Sequence, residues 1–218
     1  MNDVKWERYG AAAGLIFVIL LLVSGFIPGS PPAPDDSAQE IHEHFRDNDT
    51  TLKVASYLAG LSIFPFLIFL GVLWSRVRSG GDETRRLATI LAGGGVVAVG
   101  LASVGTVITA TTAVRIRELA PEGAKFFFTF SGVATGMTAF AVAVLVAAVS
   151  VAALRARAFP AWLGSAGLVL TLAWLVAGVS ITTDSTGFGV FGFIVFLLWL
   201  LWVLVISFFL YRPQQQTA

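Results

Sequence analysis

Six stretches of this chain carry no charged residue: Tyr9–Pro34, Val54–Ser75, Leu87–Val114, Phe126–Leu154, Ala158–Thr183 and Ser185–Tyr211. The shortest has 22 residues and the longest 29, and together they hold 158 of the 218. A helix rises 1.5 Å per residue, so about 20 residues cross a hydrocarbon layer roughly 30 Å thick. Every stretch clears that length. Backbone inside lipid must satisfy its own N–H and C=O groups, and an α-helix does this within one segment. The expectation is an all-α fold, a six-helix transmembrane bundle forming a single integral membrane domain over 1–218. Its spans fall near 9–27, 52–74, 87–114, 125–154, 161–182 and 188–211, with a loop at 28–51. Charged residues make up 12% of the chain, against about 25% in soluble domains. A soluble enzyme, a nucleic-acid binder and a disordered chain are excluded.

Composition closes off much chemistry as well. The chain has no cysteine, which removes disulfides, iron–sulfur clusters and thiolate metal sites. The two histidines, His42 and His44, lie outside the uncharged stretches, so no histidine pair can clamp a haem between spans. A serine hydrolase inside the bilayer needs a general base beside its serine, and ion-coupled carriers need intramembrane ionisable groups. The uncharged stretches offer neither. No catalytic, cofactor-binding or metal-binding residue is assigned on this basis, and no cofactor. A net charge of +1 calls for no polyanionic partner. The bilayer is the expected partner; a small neutral or lipidic ligand stays open, and protein partners are unspecified.

Charge also sets an expected orientation. The connecting segments alternate between one side with Lys5, Arg8, Arg76, Arg78, Arg85, Arg86, Arg155, Arg157 and Arg212 and another with Arg46, Lys53, Arg115, Arg117 and Lys125. Basic residues accumulate in cytoplasmic loops, so both termini are expected inside and the 28–51 loop outside. The first stretch reads as a retained helix rather than a signal peptide. Its apolar core is long, and Pro28-Gly29-Ser30-Pro31-Pro32 offers no A-x-A-like cleavage site. Removing it would leave the other loops where they are. Abundant Ala, Gly, Val and Arg with little Lys points to a GC-rich bacterial genome, and so to a bacterial plasma membrane.

Lipid supplies no hydrophobic drive between helices, so close packing of small residues substitutes for it. The third span carries Gly94, Ala98, Ala102, Thr106 and Ala110 at four-residue steps. The fourth carries Ser131, Thr135, Ala139, Ala143 and Ala147, with Gly132-x-x-x-Gly136 beside them, and the first opens with Gly10-x-x-x-Gly14. Spans three and four are expected to form a tightly apposed pair, with Gly93-Gly94-Gly95 serving packing rather than an unwound binding site. Pro65 should kink span two by releasing the Leu61 carbonyl, with Ser62 able to take up a freed backbone group. On span six, Phe188, Phe191, Val195, Trp199 and Trp202 share a face that reads as lipid contact or core. Gly187-x-Gly189-x-x-Gly192 matches a dinucleotide fingerprint in letters only, because no strand precedes it.

The 28–51 loop gathers the most polar groups. Ser37-Ala38-Gln39-Glu40 reads as a capping box opening a short amphipathic helix. Ala38, Ile41 and Phe45 share one face; Glu40, Glu43, His44 and Asp47 share the other, and His42 projects to a flank. Imidazole and carboxylates on neighbouring turns suit a divalent metal. A helix lying in the membrane interface, apolar side on lipid and acids in water, accounts for the same residues without one and is the preferred reading.

Several segments carry a resemblance: Asp47-Asn48-Asp49, Phe69-Leu70-Gly71-Val72-Leu73-Trp74-Ser75-Arg76-Val77-Arg78, Arg86-Leu87-Ala88 with Gly93-Gly94-Gly95, and Phe159-Pro160-Ala161-Trp162-Leu163-Gly164. Through them the chain resembles the six-span actinobacterial integral membrane proteins catalogued as a domain of unknown function. The resemblance implies a membrane and a fold, and no site residues. Three functions are expected in descending order. The first is a non-enzymatic membrane component acting through helix packing and lipid or partner contacts. The second is a carrier or exporter of a small neutral or lipophilic molecule, with its site between spans two, three and six. The third is a metal-dependent enzyme at the outer face.

Overall fold

A computed structural model describes residues 3–156, 158–183 and 186–211. Arg157 and Arg212, which enter the sequence argument, lie outside them. Among the described residues the fold is all helical, and six helices are long and apolar enough to cross a membrane. The elements are α1 (Asp3–Phe26), α2 (Ala38–Asp47), α3 (Asp49–Arg78), α4 (Asp82–Arg115), α5 (Pro121–Gly136), α6 (Thr138–Ala156), α7 (Ala161–Ala177) and α8 (Thr186–Tyr211). Short 3₁₀ turns follow α4 and α7 at Ile116–Glu118 and Gly178–Thr182. Helices α1, α3, α4 and α5 begin about a turn ahead of their uncharged stretches, because their charged N-terminal ends remain helical.

The fourth span runs from Pro121 to Ala156, and a single turn residue, Met137, separates its two segments α5 and α6 while keeping helical φ and ψ and donating its N–H 2.9 Å to the Val133 carbonyl oxygen. Gly136 has no side chain to stiffen the turn, and Thr138 Oγ1 donates 2.5 Å to the Thr135 carbonyl oxygen, a side-chain bond that competes with the helix ladder. The Gly136 backbone backs onto Ile181 in the turn after α7, where a Cβ would stand 2.6 Å from Ile181 Cγ2. Pro65, by contrast, leaves α3 continuous from Asp49 to Arg78. Ser62 Oγ donates 2.6 Å to the Ala59 carbonyl oxygen and takes no part in relieving Leu61.

Consecutive spans are neighbours, and the chain closes on itself: α1 packs on α3, α3 on α4, α4 on α5 and α6, α6 on α7, α7 on α8, and α8 back on α1. Side chains fill the centre of this ring. Phe17 of α1 lies 4.8 Å from Phe66 of α3 and 5.7 Å from Trp199 of α8, centroid to centroid. Leu73, Leu91, Leu145 and Ile206 around them are fully buried. The α8 face therefore serves the core, since Val195, Trp199 and Trp202 are all buried. Large apolar side chains on the outside of the ring stay open, Phe64 at 71% and Val169 at 68%. Apolar surface on that scale suits lipid, whereas a soluble chain would expose it to aggregation.

Glycines permit the closest approaches. A Cβ on Gly10 would stand 2.6 Å from Val72, and one on Gly14 would overlap Ser207 Oγ, so Gly10-x-x-x-Gly14 seats α1 between α3 and α8. Gly94 and Gly95 are buried against α6 and Leu70, whereas Gly93 faces open space. Buried hydroxyls satisfy themselves locally: Ser150 donates 2.7 Å to Val146 O and Ser207 donates 2.8 Å to Val203 O, which removes the cost of an unpaired donor in lipid.

Candidate functional site

The bundle has two chemically distinct ends. At one, α2 lies across the tips of α4 and α5. Its N-terminus carries the expected capping box: Glu40 N–H donates 3.2 Å to Ser37 Oγ, and Ser37 N–H donates 2.8 Å to Glu40 Oε2. The Ser37 hydroxyl also donates to that carboxylate at 2.7 Å, and these bonds hold the Glu40 carboxyl below its ordinary pKa. The apolar face of α2 does not lie on lipid. Ile41 and Phe45 are 0% and 3% exposed, packed with Leu52, Ala113, Ile116 and Ala124 into a small second core separate from that of the ring. Phe128 of α5 meets Phe45 edge-on at 6.3 Å.

His42 joins this docking rather than a bare flank. Its Nε2 lies 3.1 Å from the carbonyl oxygens of both Ile116 and Leu119. With acceptors on both sides, that nitrogen carries the proton. Lys125 of α5 donates 2.8 Å to the Asp36 carbonyl oxygen and ties down the segment ahead of α2. Nothing in the sequence pattern flags either tether, because the partners lie 74 to 89 residues away.

The four polar residues on the other face of α2 do not converge. Glu40 is engaged by Ser37, Glu43 accepts from Gln39 at 2.7 Å, and Asp47 pairs with Arg46 at 3.2 Å. His44 lies edge-on to Phe45 at 6.1 Å. Burial lowers its pKa, and the charge of Asp47 opposes that shift. Among the described residues no three His, Asp or Glu side chains are placed to hold a metal ion.

The opposite end is rich in arginine. Arg8 stacks on Tyr211 at 5.7 Å and Arg78 on Trp74 at 4.7 Å, cation–π contacts that fix long side chains over aromatic faces. Arg155 pairs with Glu83 at 2.5 Å, joining α6 to α4. Arg76 is the most enclosed of these four. Its Nη1 donates 2.8 Å to Glu7 Oε1 with both side chains about one-fifth exposed, 19% and 21%. Its Nε donates 3.4 Å to the Ala158 carbonyl oxygen, and its guanidinium lies 6.0 Å from the centre of the Phe159 ring. Beside it opens a cleft of about 540 Å³ walled by Leu154, Ala158, Phe159, Ala161 and Phe209.

One further polar feature lies inside the ring. Trp174 and Trp199, 7% and 6% exposed, pack edge-to-face at 6.2 Å, and among the described residues neither indole N–H has a hydrogen-bond acceptor. Trp202, one turn along α8, places its indole N–H 3.5 Å from the Leu163 carbonyl oxygen. Two buried donors without acceptors are uncommon, because each forfeits a hydrogen bond that water would supply. No protein-family model, curated protein or solved structure matches the chain.

Proposed function

We propose that the chain is a non-enzymatic multi-pass component of a bacterial plasma membrane, working through helix packing and contacts to lipid or protein partners. Both termini and the arginine-rich end face the cytoplasm, and the α2 end faces outward. The observation that carries this reading is the filled centre of the ring. Phe17, Phe66, Trp174 and Trp199 occupy it, and none of the six uncharged stretches brings an ionisable side chain there for proton or ion relay. The resemblance to six-span actinobacterial proteins of unknown function agrees with the reading and adds no activity to it. Proteoliposomes test it. Vesicles holding the purified chain should pass small neutral solutes and fluorescent lipophiles no faster than protein-free vesicles, and saturable uptake would overturn it.

The carrier reading has one observation in its favour. The unpartnered N–H groups of Trp174 and Trp199 are donors awaiting an uncharged acceptor in the middle of the ring. A carbonyl-bearing lipophile that quenches tryptophan fluorescence saturably, with the response lost in Trp199→Phe, would promote it over the first reading.

A further inference from the structure

The cleft at Arg76 combines features that the membrane reading alone does not explain. It lies at the depth of the aromatic belt. Arg76 is two residues beyond Trp74, Ala161 adjoins Trp162 (57% exposed), and Phe209 is two short of Tyr211 (60% exposed). Aromatic rings of this kind settle at the headgroup level, which is where a phospholipid places its phosphate. Leu154, Phe159 and Phe209 line the cleft with apolar surface, and Arg76 adds a guanidinium to the same lining.

That guanidinium is pre-set. Glu7, the Ala158 carbonyl and the Phe159 ring fix its plane, so little side-chain freedom is lost when it gains another acceptor. Arginine presents five N–H donors in a rigid fork suited to phosphate oxygens. Glu7 offsets its charge locally, but the end as a whole stays positive. Among described residues it carries Arg8, Arg76, Arg78, Arg85, Arg86 and Arg155 against Glu7, Asp82 and Glu83. The N-terminus of α7 opens at the same cleft with no side-chain cap, which adds a favourable dipole for an anion.

We propose that this cleft binds the phosphate of an anionic phospholipid at Arg76, with an acyl chain laid over Leu154 and Phe209. The proposal rests on the membrane reading. Basic pockets between spans select anionic headgroups, and one arginine at a membrane surface contributes enough for about a fivefold preference.

Native mass spectrometry of the delipidated protein, titrated with phosphatidylglycerol and phosphatidylcholine of matched chains, tests it. Phosphatidylglycerol should be retained about fivefold better at equal concentration. Arg76→Gln should abolish that preference. Ala161→Leu, which narrows the cleft and leaves the Arg76–Glu7 pair in place, should abolish it as well and guards against a folding defect in the first variant. Arg155→Gln removes the same charge from the same end at a residue outside the cleft, and should keep the preference. Equal retention of the two lipids, an unaffected Ala161→Leu, or equal loss in Arg155→Gln overturns the site. Displacement of the lipid by millimolar inorganic phosphate would make it a site for the free anion and overturn the assignment to lipid. Membrane fractionation separates the two levels. Membrane-bound protein without lipid selectivity sinks this inference alone, whereas protein soluble without detergent sinks the membrane reading too.

Discussion

Gly94 of α4 lies against the backbone of α6, where a Cβ would stand 3.0 Å from the carbonyl oxygen of Ala141 and 3.0 Å from the amide nitrogen of Leu145. Backbone cannot swing aside as a side chain can. Gly94→Leu should therefore part α4 from α6 and lower stability by about 1–3 kcal/mol, the usual cost of overpacking. Its neighbour Gly93 has open space around it, so Gly93→Leu should melt close to the parent in detergent. Equal melting of the two variants would show that α4 and α6 are not in close contact.

A second pair separates the packing seam from the stripe of small residues read in the sequence. Ala139 is 3% exposed, whereas Ala102 lies on an open face of α4. Ala139→Leu should lower the melting temperature and Ala102→Leu should not. A large loss in Ala102→Leu would mean that α4 is rotated from its described position.

That contrast marks what the sequence could and could not convey. The six spans were legible because missing charge is a one-dimensional signal, and lipid leaves the backbone little choice but helix. Which face meets which is not one-dimensional. Each four-residue step overshoots a full helical turn by about 40°, so a stripe from Gly94 to Ala110 winds away from the partner that Gly94 touches. The buried positions Leu91, Ala98, Gly105 and Thr112 instead recur every seven residues, and that spacing holds one seam. Gly132 shows the same limit, since it faces open space despite its GxxxG spelling. Arg76 with Glu7 and His42 with Ile116 pair residues 69 and 74 apart, and local periodicity carries no trace of either. The amphipathic pattern of α2 was legible, but lipid and a protein groove reward the same apolar face, and only the fold distinguishes them.

The proposed orientation can be read with single cysteines, because the chain has none of its own. Ser30 and Ser79 are both exposed and sit at opposite ends of the bundle. In intact cells a membrane-impermeant thiol reagent should label Ser30→Cys and spare Ser79→Cys until the membrane is opened. The reverse pattern would invert the bundle.

Docking of α2 rests on two side chains. Truncating a fully buried Phe costs about 3–5 kcal/mol in a packed core, and Phe45 is 3% exposed. Phe45→Ser or Ile41→Ser should release α2 from α5, seen as faster hydrogen exchange over 38–47 while the spans stay protected. Glu43→Gln with Asp47→Asn should leave that exchange almost unchanged, since solvated acids on a free face contribute little. Unchanged exchange in both serine variants would mean that His42 and Lys125 alone hold the segment.

The pH dependence of the same region has a defined sign. Burial against Phe45 lowers the His44 pKa in the folded chain below its ordinary value of 6.5, with Asp47 opposing the shift. The folded state therefore binds the proton less readily than the unfolded one, and stability rises with pH wherever that difference operates. The contribution is fully present above the unfolded value and is lost as pH falls from there toward the lowered folded value. The folded pKa of Glu40 is lowered as well, so its contribution is also lost as pH falls, in a more acidic range. Its carboxylate is favoured by Ser37, so that stability is present above the ordinary carboxylate pKa and disappears only as pH falls through the lower folded value. Two separate losses are expected in exchange protection over 38–47, one just below neutrality and one in acid. His44→Gln should remove the first and keep the second, because glutamine does not titrate and the capping box remains. If the loss near neutrality survives in His44→Gln, His44 is not the group responsible for it.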